Sequence, residues 1–158
     1  MSSKVKPIPE GYHTVTPYLT VQDGTRALEF YKKAFGAQVV VRMDGPDGKV
    51  GHAEIQIGDS RIMLADEVPS MGGKSPQTLG GTPVALMLYV EDVDALFQQA
   101  LKAGAKEDRP VKDQFYGDRS GSVFDPFGHK WFLATHKEDV SPEEMKRRMA
   151  EAMAPASV

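Results

Sequence analysis

Apolar and polar positions alternate from Tyr12 to Val21: Val15, Pro17, Leu19 and Val21 fall on one side, Thr14, Thr16, Tyr18 and Thr20 on the other. A period of two predicts a strand with one buried face. The period then lengthens. Ala27, Leu28, Phe30, Tyr31, Ala34 and Phe35 recur at helical spacing, Asp23 or Thr25 can cap that helix, and Gly36 closes it. Strands follow over 37–43, 50–57 and 61–65, separated by the turns Asp44-Gly45-Pro46-Asp47-Gly48 and Gly58-Asp59-Ser60. The order is βαβββ.

After a stretch rich in Gly, Pro and Ser the pattern restarts. Val84, Leu86, Leu88 and Val90 alternate, and Asp92 or Asp94 caps a helix carrying Val93, Leu96, Phe97, Ala100 and Leu101 that Gly104 closes. Strands are expected near 105–111, 117–124 and 130–134, the last two joined by the turn Asp125-Pro126-Phe127-Gly128-His129. Val21 and Val90 lie 69 positions apart, and so do Leu64 and Leu133, which points to an internal repeat rather than two unrelated motifs in tandem. The organisation read from this is a flexible arm (1–11), a first module (12–67), a linker (68–82), a second module (83–136), and a C-terminal helix and tail (137–158). Ser141-Pro142-Glu143-Glu144 opens the final helix with a capping box. Its Met145, Met149 and Met153 form one stripe, suited to the chain's own sheet, to a partner subunit, or to a soft ligand-gripping surface.

Composition narrows the class. Of 158 residues, 41% are hydrophobic and 26% charged, as in soluble globular domains, and no apolar run has the length of a membrane span. The amino terminus has no apolar signal segment, and with no cysteine there is neither disulfide nor thiolate chemistry; both agree with a cytoplasmic location. A net charge of −3 with dispersed basic residues leaves no nucleic-acid footprint. No nucleophile elbow or phosphate loop is present, since the glycine pairs Gly72-Gly73 and Gly80-Gly81 lack the necessary context.

The motifs Pro17-Tyr18-Leu19, Phe30-Tyr31-Lys32-Lys33-Ala34-Phe35-Gly36, Ile57-Gly58-Asp59-Ser60, Tyr116-Gly117-Asp118-Arg119 and Asp125-Pro126-Phe127-Gly128-His129 occur in this order. With the paired βαβββ units, they resemble the vicinal oxygen chelate superfamily of glyoxalase I, bleomycin-resistance proteins and extradiol dioxygenases, and look most like its PhnB-like branch. The resemblance implies an α+β glyoxalase/bleomycin-resistance fold, with curved mixed sheets forming a ligand cup, helices on the convex face, and commonly a homodimer. It also implies that metal-using members take four His or Glu ligands from positions that here are Thr16, Met63, Ala85 and Phe132. One hydroxyl among these cannot hold zinc or a hard cation, so no cofactor or metal is expected.

Strand parity then says what fills the cup. Val15, Leu19, Ile62 and Leu64 are expected to face the helices, leaving Thr14, Thr16, Tyr18, Arg61, Met63, Ala65, Ala85, Met87, Tyr89 and Phe132 toward the ligand. His52, Glu54 and Gln56 point the same way. His52 and Glu54 at i, i+2 suit a proton-transfer pair, a displaced two-ligand metal site, or simply a solvated polar row. Tyr116 and Arg119 on a polar, aromatic loop can bracket a ligand, unless Arg119 is taken by Asp118 or Asp125. His129 reads as a turn residue and Trp131 as core, while Asp66, Glu67, His136 and Glu138 read as unpaired and exposed. The leading expectation is a metal-independent small-molecule binding protein. A glyoxalase-like lyase or isomerase using His52 and Glu54 on a carbonyl compound is the alternative, and a scaffold or regulatory dimer the third.

Overall fold

A computed structural model describes residues 5–155. Two four-stranded mixed sheets carry the same topology. The first contains β1 (Tyr18–Val21), β2 (Gln38–Asp44), β3 (Val50–Ile57) and β4 (Ser60–Asp66) in the order β1-β4-β3-β2. The second contains β5 (Ala85–Tyr89), β6 (Lys106–Asp113), β7 (Asp118–Phe124) and β8 (Lys130–His136) in the order β5-β8-β7-β6. Each has one parallel pair, Tyr18 opposite Met63 in the first and Met87 opposite Phe132 in the second. The duplication inferred from residue spacing is thus a duplication of register.

Helices α1 (Gly24–Phe35) and α3 (Val93–Ala103) occupy equivalent places in the two modules. Asp23 and Asp92 cap them, accepting from the backbone N–H of Arg26 and Ala95, and Gly36 and Gly104 end them in the left-handed region. The two helices pack together, and Gln99 of α3 donates to the last carbonyls of α1, those of Lys33 and Ala34. From His52 onward burial in β3 follows a period of two: Ala53, Ile55 and Ile57 are buried, and His52, Glu54 and Gln56 only partly. One core runs through both modules: Tyr31 and Phe35 of α1 lie against Trp131 of β8, ring centroids 5.6 and 4.8 Å away.

Some local expectations are corrected and others refined. The first strand begins at Tyr18 rather than near Tyr12, because Pro17 has no N–H for a ladder; its carbonyl accepts from Met63 N instead. Val15 is therefore not turned to the helices but is 81% exposed. The expected linker contains a 3₁₀ turn (Pro69–Met71) and a short helix α2 (Pro76–Leu79) capped by Ser75. The final helix, α4 (Pro142–Met153), begins with Ser141 as cap, but the capping box is half made. The Glu144 carboxylate pairs with Arg147 and Arg148 rather than folding back, and these two guanidiniums hold it down to a pKa of about 2. Of the methionine stripe Met145 is half-buried, while Met149 and Met153 are exposed. Among the described residues no helix is long and apolar enough to cross a membrane.

Candidate functional site

The clearest cavity, about 520 Å³, lies between the edge strands β1 and β5. Val15, Pro17, Leu19, Ile62 and the run from Val84 to Leu88 supply an apolar wall, and His13, Thr16, Tyr18, Ser60 and Arg61 its polar rim. β1 and β5 each pair with only one neighbour, so their free edges border the opening.

A hydrogen-bonded chain runs from this rim across the open face of the first module. Tyr18 Oη lies 2.8 Å from His52 Nδ1, and His52 Nε2 lies 3.1 Å from Glu54 Oε1. With Nε2–H donated to the carboxylate, Nδ1 is the nitrogen that accepts the Tyr18 proton. The other oxygen, Glu54 Oε2, accepts from the Tyr12 hydroxyl. Hydrogen bonds from Tyr12 and His52 hold the Glu54 carboxyl below its ordinary pKa, and desolvation, with the Glu54 contact, raises the Tyr12 phenol. Side-chain exposure is 22% at His52 and 16% at Glu54, whereas Tyr18 stands 53% exposed at the mouth. A base that is half-covered and backed by a carboxylate, with an accessible phenol in front, is able to move a proton.

The ligand-facing residues read from the sequence separate into groups. Thr16, Tyr18, Arg61 and Met87 line the main cavity, and His52 and Glu54 join it through Tyr18. Tyr116 and Phe132 line a second hollow of about 390 Å³ beside β6, with Arg109, Lys112 and Ser120. Met63 sits opposite Tyr18 in the ladder, and Gln56 donates to the carbonyl of Gly58. Tyr89 donates to Asp118, which raises its phenol pKa.

Arg119 is the main departure. Its guanidinium pairs in a fork with Asp94 of α3, and with Asp113, not with Asp118 or Asp125. Asp118 and Arg119 are neighbours on β7 and so face opposite sides of the sheet. Nor are four acids and bases expected to be unpaired left so. Asp66 accepts from Gly24 N and Val50 N, and Glu67 from Ser75 and Thr78. His136 bridges Asp118 and Asp139, and Glu138 holds Arg148. His129 does occupy the turn and Trp131 the core, but His129 also ties that turn to the Thr20 carbonyl at 2.9 Å. The sequence reading missed Tyr12, His13 and Val84 at the site and set Leu19 and Ile62, which line the wall, against the helices alone; Tyr12 and His13 were assigned to the part of the first strand that does not form.

A model of the Glyoxalase/Bleomycin resistance protein/Dioxygenase superfamily matches residues 12–133. The chain belongs to that superfamily. It is 48% identical over 139 residues to the uncharacterized protein Rv0887c of Mycobacterium tuberculosis, covering 86% of this chain and 82% of that one. The crystal structure of TioX from Micromonospora is similar, with 25% identity, a TM-score of 0.62 and coverage of 78% of this chain and 98% of that one. A FosX fosfomycin resistance protein from Listeria monocytogenes, complexed with Mn(II), shares the fold at 19% identity and TM-score 0.61, over 85% of this chain and 96% of that one.

Metal use within the superfamily raises the question of fit. Thr16, Met63, Ala85 and Phe132 offer one hydroxyl, a thioether, a methyl and a phenyl group, and Met63 and Phe132 hold equivalent register positions in the two sheets. His52 and Glu54 are two donors already hydrogen-bonded to each other. Among the described residues no group of three or more His, Cys, Asp or Glu is arranged to hold a metal. These side chains do not suit the family's four-donor centre.

Proposed function

We propose that this chain binds a small amphipathic molecule in the cavity between β1 and β5, by contact rather than through the four-donor metal centre. The cavity itself carries this reading: its volume of about 520 Å³ and apolar walls with a few polar rim groups are what a drug-sized ligand site requires. Within the superfamily, the sequence motifs favour the PhnB-like branch. A thermal-shift screen against carbonyl compounds, phenolics and glycopeptide-type antibiotics tests the reading. A rise in melting temperature for one class, lost when Ala85→Trp fills the cavity, is the expected result. No response from any class would leave the scaffold role in its place.

The chain from Tyr18 through His52 to Glu54 supports a second reading, a lyase or isomerase acting on a carbonyl compound. In that role His52 takes the proton through Nδ1, and Glu54 stabilises the resulting imidazolium. Replacement of His52 by Ala separates the two: it abolishes turnover in an enzyme and only softens affinity in a binder.

Assembly as a homodimer is part of the proposal. The exposed Met149 and Met153 on α4 are apolar surface for a second copy. Sedimentation of wild type and of a Met149→Lys, Met153→Lys variant reads this directly, with a dimer expected only for the former.

A further inference from the structure

Arg61 is the exceptional group on the cavity rim. Its Nε is buried without a hydrogen-bond partner, and among the described residues its guanidinium forms no ion pair. Glu54, the carboxylate on the same face, is already committed, Oε1 to His52 and Oε2 to Tyr12. The guanidinium is nevertheless held in place. The ring of Tyr12 lies against it, 5.4 Å from centroid to Cζ, and Gly11 approaches so closely that a Cβ there would come 3.0 Å from Nη2. A positioned cation that forms no ion pair is completed by an acceptor bearing negative charge.

We propose that the ligand of this cavity carries an oxyanion head, a carboxylate or a phosphate, which seats on Arg61. Its apolar body lies along Leu19, Ile62, Val84, Leu86 and Leu88. The inference rests on the binding reading above and adds the charge of the ligand to it. Arginine suits the task because its fork matches both heads, and an apolar surround strengthens the contact relative to water. Tyr12 and Gly11 act as positioning residues, holding the cation at the rim.

Calorimetric titration with 4-phenylbutyrate, 4-phenylbutyl phosphate and the uncharged 4-phenylbutanol tests it on the full chain. Wild type should bind at least one of the two anions tenfold or more tightly than the alcohol, and the better anion identifies the head. Arg61→Met should abolish the preference, that anion then binding no more tightly than the alcohol binds to the same variant. Arg61→Lys, which keeps the charge but loses the fork, should fall between, and provides the same comparison should the Met variant not fold. Equal binding of all three by wild type, or an anion preference that survives Arg61→Met, would overturn the anionic head but leave the cavity as a binding site. Binding of none of the three would overturn both.

Discussion

The Tyr31 hydroxyl donates to Asp125 Oδ2 across 2.6 Å, joining α1 of the first module to the β7–β8 turn of the second. The same oxygen accepts from Trp131 Nε1 at 2.9 Å, while Oδ1 accepts from the backbone N–H of Phe127 and His129. One buried carboxylate therefore satisfies four donors at the seam between the modules, and burial, together with that charge, drives the Tyr31 phenol well above its ordinary pKa.

Removing that acceptor should be costly. Asp125→Ala strands the two buried side-chain donors as well as the turn's N–H groups, and should destabilise the fold by about 3–5 kcal/mol. Tyr31→Phe, which removes one donor and leaves three, should cost only about 1–2 kcal/mol. Chemical denaturation of both variants checks the order and the gap. Similar losses for the two would show that Asp125 is not the shared acceptor of the seam.

His136 gives the fold a pH dependence. Hydrogen bonds to Asp118 and Asp139 raise its pKa above the ordinary histidine value. Because the folded pKa is the higher one, this contribution is fully present below the unfolded value of about 6.5 and is lost as pH rises through the folded value. A denaturation series should therefore show stability falling as pH rises from about 6.5, and His136→Gln should flatten that part of the curve. An unchanged profile in the variant would remove the imidazolium clamp.

Glu54 responds in the opposite sense. Its lowered pKa means that its contribution is present above the unfolded carboxyl value and is lost as pH falls through the folded one. Tyr12→Phe deletes the largest cause of the shift, so carbon-detected titration should find the Glu54 carboxyl moved back up toward its ordinary value. No movement would mean that Tyr12 does not rest on Glu54 in solution.

Arg119 provides a contrast with Arg61. Its partners Asp94 and Asp113 are largely exposed, at 57% and 81%. Arg119→Ala should cost no more than about 1 kcal/mol and leave ligand affinity unaltered. A large loss of affinity would return Arg119 to the ligand site.

Much of this architecture was legible in the chain because it rests on local rules. The change of period from two to 3.6, the aspartate caps at 23 and 92, the glycines at 36 and 104 and the 69-residue offset each dictate structure without reference to distant neighbours. Strand parity likewise placed His52, Glu54 and Gln56 on one half-buried face. What escaped was long-range. The alternation from Tyr12 to Val21 is a true pattern, but Pro17 cannot donate to a ladder, so the strand starts later and Tyr12 is free to reach Glu54. The partners of Arg119 come from α3 and the end of β6, and those of Asp66 from α1 and β3, distances along the chain that no local spacing encodes. The cavity belongs to the same class, since its walls are two strands nearly 70 residues apart.

The proposed ligand cavity is expected to work without the family's metal centre, and one titration addresses it. Protein stripped with EDTA should bind 4-phenylbutyrate or 4-phenylbutyl phosphate as tightly as untreated protein, and Ala85→Trp should abolish that binding with or without chelator. Affinity that disappears on chelation and returns with one equivalent of a divalent cation would contradict it.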